Sequence, residues 1–264
     1  MNSTPNLEYG SSAQADLRQQ WFNSTAGQYL QLKEQALYDK AVFDLFGFNA
    51  VQMGCLQMDL LRNSRIPNRY KASEYVETPF KSHLSCCDDF LPFAENSLDL
   101  LLLPHCLEFS ERPHQTLREA ARVMMPEGHL IISGFNPLST WGLTTKFNKI
   151  ISKEQSYPWN GKFIGLTRLK DWLALMGFEI LSVDMCCHIP PFDQSSWQKH
   201  TVFMDKIGGS FLGMLGGVYF IVAKKRVVGM TLLKPVWKTS PLSSTLIVSP
   251  TQSKPAQSKP AQKK

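Results

Sequence analysis

The chain has 264 residues, 43% hydrophobic and 19% charged, a composition that excludes collagen-like, coiled-coil and wholly disordered proteins. The net charge of +6 belongs to the C-terminal end: nine Lys or Arg and no acid follow position 223, whereas the preceding residues carry 19 basic and 22 acidic groups. This distribution gives no strong indication of a nucleic-acid-binding surface. It indicates at most a weak contact between the basic tail and anionic membranes.

The N-terminal residues 1–46 are predicted to form a helical arm that ends at Gly47. Its predicted apolar face consists of residues at helical spacing, namely Leu30, Leu37, Ala41 and Leu45. No basic region followed by an apolar stretch is present at this end, so no signal peptide is expected. The chain has no Cys-x-x-Cys motif and too few cysteines for a disulfide framework. We therefore expect a cytoplasmic protein without a metal site, whose cysteines lie in apolar surroundings: Cys55, Cys86, Cys87, Cys106, Cys186 and Cys187.

Strand and helix patterns alternate between residues 47 and 228. Short apolar runs predict strands, and longer segments with apolar residues three and four apart predict helices. Such alternation is typical of a doubly wound α/β domain with a parallel, Rossmann-like sheet. The predicted strands are 48–54, 98–103, 129–133, 178–185 and 218–223, and the predicted helices are 113–125, ended by Pro126-Glu127-Gly128, and a helix capped by Thr167 and ended by Gly177.

The C-terminal residues 229–264 are predicted to be a basic tail, largely disordered from about residue 240. An exact SKPAQ repeat occupies 253–262, and such a segment has too few large apolar residues to offset the entropy of ordering it. Just before this tail, the 17 residues 207–223 carry no charge. They are short for a membrane span and five are glycine, so a strand over 218–223 is favoured, with peripheral membrane contact as the alternative.

Several motifs between positions 91 and 134 are similar to those of a known family. They are Leu91-Pro92-Phe93, Asp99, Leu117-Arg118-Glu119, Arg122-Val123-Met124 and Pro126-Glu127-Gly128. Together they resemble the second half of a class I S-adenosylmethionine-dependent methyltransferase of the type-11 group. The resemblance covers roughly residues 40–226. It implies a seven-stranded sheet and methyl transfer from S-adenosylmethionine to an acceptor that the sequence does not identify.

The chain departs from this family at the turn after the first strand. The family has an acid-x-Gly-x-Gly-x-Gly pattern there, and its glycines allow the backbone to approach the cofactor. Here only Gly54 remains, because Gln52 stands at the acid position and Leu56 and Met58 stand at glycine positions. The alternative is therefore a non-catalytic scaffold or interaction protein that has lost cofactor binding.

The resemblance also implies further cofactor contacts. Glu74 lies 20 residues after Gly54, where an acid accepts hydrogen bonds from the ribose hydroxyls in such folds. Asp88 and Asp89 precede the Leu-Pro-Phe motif, where the family places an acid beside the adenine amino group. Pro104 and His105 follow the fourth strand at the edge where ligands bind in such sheets.

Residues near the same edge are candidates for binding the methyl acceptor or for removing its proton. His105 is a candidate general base, since imidazole titrates near neutrality, and the alternative is a structural, hydrogen-bonded histidine. Glu108 follows His105 by three residues and is a further candidate for the substrate pocket. Phe135, Asn136 and Trp141 follow the fifth strand and could form either a substrate pocket wall or the loop's own small core.

Overall fold

The computed structural model describes residues 20–73, 82–143, 161–188 and 216–227. By its contacts the chain divides into two units, Met1–Val228 and Gly229–Lys264. The predicted tail, the candidate ribose acid Glu74 and most of the uncharged run before residue 218 lie outside the described residues.

A seven-stranded sheet forms the centre of the first unit, with strand order β3-β2-β1-β4-β5-β7-β6. The strands from β3 to β5 run parallel, and β7 runs antiparallel to both β5 and β6. The predicted doubly wound, Rossmann-like sheet is confirmed, and its edge formed by β7 and β6 contains antiparallel strands. In chain order the elements are α1 (Thr25–Phe43), β1 (Asn49–Met53), β2 (Asn68–Ser73), β3 (Leu84–Ser85), β4 (Leu98–Pro104), α2 (Pro113–Val123), β5 (Met124–Phe135), α3 (Leu166–Leu175), β6 (Phe178–Cys186) and β7 (Val218–Lys225).

The core lies on both faces of this sheet, because alternate residues of each strand point to opposite sides. On one face, Val51, Leu101 and Ile132 pack with the apolar sides of α2 and α3. On the other face, Leu100 and Ile131 pack with α1 and with the connection between β1 and β2. Burial on both faces explains why β4 reads as the continuous apolar run LDLLLL.

Helix α1 packs on the sheet through a face that differs from the predicted one. It begins at Thr25, with the Ser24 hydroxyl accepting a hydrogen bond from the Gly27 N–H at 3.2 Å. Its buried residues are Gly27, Leu30, Glu34, Tyr38 and Val42, spaced three or four apart. Apolar periodicity did not predict this face, because it contains the polar residues Glu34 and Tyr38.

Two predicted helix ends are wrong. Helix α2 ends at Val123, and Pro126-Glu127-Gly128 lies inside the long strand β5, at a register shift against β4. Helix α3 has Gly165 at its N-cap with no side-chain hydrogen bond, so Thr167 is not the cap. Gly177 does follow the end of α3, in the left-handed conformation that glycine favours, with a φ of +79°.

Strands β2 and β3 were not located in the sequence. Strand β2, NRYKAS, is largely polar and is exposed at its first residues, and β3 has only two residues. Three cysteines, Cys55, Cys186 and Cys187, are buried as expected, but Cys87 is exposed. None of the helices in the described part of the chain is long and apolar enough to cross a membrane.

Candidate functional site

The candidate site lies where β1 and β4 end side by side. Chain connections leave these two neighbouring strands toward opposite sides of the sheet, and ligands bind at such switch points in open α/β sheets. Three residues directly after these strands have left-handed backbone conformations, namely Gly54 (φ +79°), Cys55 (φ +47°) and His105 (φ +47°). Left-handed conformations at non-glycine residues are strained and often occur at functional sites.

Among the described residues, Gly54 faces open space in this crevice. A Cβ built on Gly54 would meet a single atom of this part of the chain within 4 Å, the Pro104 carbonyl oxygen at 4.0 Å. The same carbonyl lies 3.5 Å from the Cys55 thiol. The backbone at Gly54 can therefore be approached closely by a thin ligand, which is the purpose that glycine serves at the first position of the family motif.

The side chain of Gln52 organises the turn that follows. Its Nε2 donates to the carbonyl oxygens of Gly54 and Cys55, both at 3.1 Å, and of Met58, at 2.9 Å. Its Oε1 accepts from the Leu60 N–H at 3.1 Å. An amide both donates and accepts, so it satisfies backbone groups of both kinds, whereas the family's carboxylate could only accept.

Leu56 and Met58 are buried, with exposed fractions of 7% and 4%. Residues 54–67 connect β1 to β2 through turns rather than a helix, and Met58 belongs to the core on the α1 side of the sheet. The turn is therefore rebuilt around Gln52, with side chains in its interior where the family has glycines. Gly54 keeps the glycine of the family's first motif position, and the rest of the motif does not follow the family's pattern.

His105 lies between two buried carboxylates. Its Nε2 is 2.9 Å from Oε1 of Glu34 on α1, and its Nδ1 is 3.3 Å from Oε2 of Glu108. All three side chains are essentially inaccessible to water. Within the described ranges, no three or more His, Cys, Asp or Glu side chains are arranged to hold a metal ion.

The surroundings of His105 favour its charged form. Burial alone would lower its pKa, but the charges of Glu34 and Glu108 outweigh burial and raise the pKa of His105 well above its ordinary value of 6.5. With an imidazolium between two carboxylates, each ring N–H faces an oxygen. Nε2 is thus hydrogen-bonded to Glu34, whereas Nδ1 lies in an ion pair with Glu108 and has no hydrogen bond among the described residues. Because both ring nitrogens face buried carboxylates, the structural histidine is favoured over a general base.

Tyr219 brings another polar group to this cluster. A Cβ at Gly134 would lie 2.4 Å from the Tyr219 hydroxyl oxygen and 2.9 Å from Oε1 of Glu108, so both oxygens crowd the same glycine. Oε1 of Glu108 also accepts the Phe135 N–H. Burial, and then the charge of Glu108, raise the pKa of Tyr219 well above its usual value. The phenol is therefore neutral.

The two candidate adenine acids differ in their contacts. Oδ2 of Asp88 accepts the Thr116 hydroxyl at 2.9 Å and lies 3.8 Å from the sulfur of Cys106, the residue after His105. Asp88 therefore lies close to the segment that follows β4. Asp89 lies 3.7 Å from a guanidinium nitrogen of Arg112, whose side chain is 72% exposed.

The residues predicted as a substrate wall lie in the interior and contact one another. Phe135 stacks on Trp141 with ring centroids 5.8 Å apart, and it lies 4.3 Å from the His105 ring. The Asn136 side chain accepts the Leu138 N–H at 3.1 Å and donates to the Gly216 carbonyl at 3.1 Å. The Asn136 side chain thus stabilises the turn that follows β5.

Sequence reasoning missed Glu34 and Tyr219, and it noted Gln52 only as the residue at the acid position, without its hydrogen bonds to the turn. A signal for Glu34 was present, because it lies four residues from both Leu30 and Tyr38 and so shares a helix face with them. An acid on an otherwise buried helix face requires a buried partner. No comparable signal marked Gln52 or Tyr219.

Comparison with known proteins agrees with this geometry. A family model described as a methyltransferase domain matches residues 56–132. The uncharacterized protein YafS of Escherichia coli is 40% identical over 142 residues, which are 54% of this chain and 54% of YafS. The match thus spans about half the length of that curated relative.

Solved structures show the same fold. An S-adenosylmethionine-dependent methyltransferase from Thermotoga maritima has a TM-score of 0.62 at 18% identity, covering 83% of this chain and all of that one. A second, from Mesorhizobium loti, has a TM-score of 0.51 at 13% identity, covering 72% of this chain and 96% of that one. At such identities the likeness establishes the fold of the chain alone.

Proposed function

We propose that this chain, which contains a class I methyltransferase domain, transfers a methyl group from S-adenosylmethionine to an acceptor that is still to be identified. Bound in the crevice, S-adenosylmethionine would supply a methyl group that is already activated by its sulfonium centre. The protein then has to bind the cofactor, exclude water and orient the acceptor in line with the methyl group. Such positioning can supply most of the rate acceleration.

The observation that supports this proposal is the space that the described residues leave open over Gly54, at the switch point between β1 and β4. The left-handed backbone of Gly54 and the Pro104 carbonyl would hold the methionine part of the cofactor. Asp88, close to the segment that follows β4, would accept a hydrogen bond from the adenine amino group. Glu74 remains the candidate for the ribose hydroxyls.

The acceptor need not be deprotonated by His105. Both ring nitrogens of His105 face carboxylates, and the side chain is buried. We assign the removal of the acceptor's proton to solvent, because the sulfonium leaving group does not require a strong nucleophile. This assignment places Glu108 and His105 in the support of the crevice rather than in the chemical step.

Isothermal titration with S-adenosylmethionine and S-adenosylhomocysteine tests the proposal directly. We expect dissociation constants in the micromolar range for both compounds, the ordinary range for metabolite-sized ligands. The absence of binding up to millimolar concentrations would remove the methyltransferase proposal. A catalytic test should follow with acceptor mixtures, measuring formation of S-adenosylhomocysteine.

A scaffold that has lost the cofactor is the second candidate, favoured by one observation. The turn after β1 is closed internally by Gln52, and Leu56 and Met58 lie inside the protein. If Leu56 fills the space that a cofactor occupies in the family, the domain would serve as an interaction module. Substitution of Leu56, described in the Discussion, distinguishes the two candidates.

A further inference from the structure

We propose that Glu34, on helix α1, is a positioning residue that acts through His105 to set the Pro104 carbonyl against the crevice over Gly54. The proposal rests on the proposed function, because the ligand of that crevice is the proposed cofactor. It assigns α1, which precedes the residues matched by the family model, a role in the site.

The contact that transmits this effect is the hydrogen-bonded pair of Glu34 and His105. Oε1 of Glu34 lies 2.9 Å from Nε2 of His105, and the two residues are 71 positions apart in the chain. Neither side chain is accessible to water. Charged pairs of this kind are geometrically strict, since a buried charge that loses its partner is costly.

His105 needs such a restraint because its backbone is in the left-handed region, with a φ of +47°. For a residue with a side chain, this conformation costs about 1–2 kcal/mol. The His105 N–H donates to the Ser133 carbonyl at 2.9 Å, which anchors one side of the bend. Glu34 anchors the ring through a hydrogen bond at Nε2, and Glu108 attracts the other side of the ring by its charge, with its Oε2 3.3 Å from Nδ1.

The bend at His105 decides where the preceding carbonyl points. The Pro104 oxygen lies 3.5 Å from the Cys55 thiol and 4.0 Å from the Cβ position of Gly54, so it forms a wall of the crevice. A rotation of the peptide between Pro104 and His105 would withdraw this acceptor or push it into the ligand's space. Glu34 therefore acts on the ligand without touching it.

The charge state of the ring connects this restraint to pH. Loss of the ring proton would leave two buried carboxylates beside a neutral imidazole and would weaken both contacts. Four buried polar atoms of this cluster have no hydrogen-bond partner among the described residues: Oε2 of Glu34, Nδ1 of His105, Oε2 of Glu108 and the Tyr219 hydroxyl. No hydrogen bond from a neighbour therefore replaces the lost charge. The titratable groups around the ring are Glu34 and Tyr38 on α1, Cys55 in the turn, Glu108, and Tyr219 on β7.

The arrangement does not serve a second ligand or a metal. Glu34 and Glu108 lie at opposite nitrogens of one ring, so their oxygens do not converge on a common point. The two carboxylates both contact the imidazole ring of His105. We call this arrangement of Glu34 and Glu108 on either side of His105 the clamp.

The test compares the wild type with Glu34→Gln and with Asp39→Asn, a matched control on the same helix. Asp39 pairs with the half-exposed Arg62 at the surface, so its substitution also removes a carboxylate but leaves the clamp intact. Two NMR readouts are followed from pH 6 to 10: the ring signals of His105, and the backbone amide signals of Gly54 and Cys55. Affinity for S-adenosylhomocysteine is measured at both ends of this range.

In Glu34→Gln we expect the ring to lose its proton at lower pH and the Gly54 and Cys55 amides to shift with the same midpoint. Affinity at high pH should fall about tenfold relative to the wild type at the same pH, or 1.4 kcal/mol. Asp39→Asn should match the wild type in all three measurements. Glu34→Asp, which keeps the charge, should restore part of the affinity.

The proposal would be overturned if the amide signals of Gly54 and Cys55 did not shift when the His105 ring loses its proton, in the wild type or in any variant. Equal affinity of Glu34→Gln and wild type at high pH, with the ring midpoint moved, would overturn it as well. If the wild type binds no S-adenosylhomocysteine, the proposed function fails, and the amide signals still decide whether the clamp exists. If Glu34→Gln does not fold, the wild type and Glu34→Asp titrations decide it.

Discussion

The side-chain oxygen of Gln52 accepts a hydrogen bond from the backbone N–H of Leu60 at 3.1 Å, across eight residues of chain. Together with three donations from the same amide, this bond closes the turn after β1. The turn of the family's glycine motif is thus held here by a single buried side chain. Its chemistry can be tested by restoring the acid.

We expect Gln52→Glu to destabilise the protein by about 3 kcal/mol or more, because a carboxylate cannot donate to the three carbonyl oxygens that now accept from the amide. Urea denaturation measures the change. Gln115→Glu, in the first turn of α2, is the control and should change stability by less than about 0.5 kcal/mol, since acids are favourable there. Equal effects of the two substitutions would mean that the Gln52 network contributes little.

Gly54→Val should reduce affinity for S-adenosylmethionine at least tenfold, about 1.4 kcal/mol, by placing a branched side chain in the crevice. Gly177→Val is the matched control, because Gly177 has the same φ of +79° but follows α3, away from the crevice. Both variants should lose stability through backbone strain. Only Gly54→Val should lose affinity in the titration, and a similar loss in both would assign the effect to strain.

Leu56→Gly distinguishes the enzyme from the scaffold. If the cofactor binds over Gly54 with Leu56 turned away, the variant should keep or gain affinity, although the loss of the buried Leu56 side chain costs stability in this case as well. If Leu56 fills the vacated site as core, the variant should lose about 2–5 kcal/mol and still bind nothing. Thermal melting and ligand titration of the same sample give both values, and the second outcome would end the methyltransferase assignment.

Tyr219→Phe should either lower the free energy of unfolding by less than about 1 kcal/mol or raise it. The reason is that the substitution removes a buried hydroxyl that has no hydrogen-bond partner among the described residues. Tyr38→Phe is its counterpart. The Tyr38 hydroxyl, equally buried, donates to the Ser133 hydroxyl at 3.2 Å, so its removal should cost about 1 kcal/mol. A larger loss for Tyr219→Phe than for Tyr38→Phe would show that the Tyr219 hydroxyl has an energetic partner.

The stability that His105 contributes should decline in alkaline solution. Its pKa in the folded protein is raised well above 6.5, so the folded state holds the proton more tightly than the unfolded chain does. The contribution is complete below about pH 6.5 and is lost as the pH rises through the folded-state pKa. Urea denaturation of the wild type and of His105→Gln at several pH values should therefore show a difference that shrinks as pH rises. A difference independent of pH would contradict the raised pKa.

The parts of the fold that the sequence predicted are those in which local pattern and burial agree. Strand β4 is apolar on both faces and is covered on both, so its pattern reports its position directly. Strand β2 is polar at its exposed start, and hydrogen bonding to β1 rather than side-chain pattern defines it. Its existence followed only from the family resemblance.

The site divides in the same way. Gly54 and Pro104 could be placed because each ends a recognisable strand at the ligand-binding edge. The roles of Gln52 and Glu34 depend on tertiary contacts, since a buried amide and a buried acid reveal their partners only when distant segments meet. The sequence left His105 as either a candidate general base or a structural, hydrogen-bonded histidine, because Glu34, which hydrogen-bonds one of its ring nitrogens, lies 71 residues away in the chain.

The crowding around Gly134 means that substitutions at positions 108, 134 and 219 should be correlated in evolution. Even an alanine there would place its Cβ 2.6 Å from the ring carbon that bears the Tyr219 hydroxyl, so loss of the hydroxyl alone would not make room. The ring itself would have to become smaller, and the nearby carboxylate of Glu108 would have to withdraw. Among related sequences, positions 108, 134 and 219 should therefore vary together, and a side chain at 134 should mark a lineage that has dismantled this polar cluster.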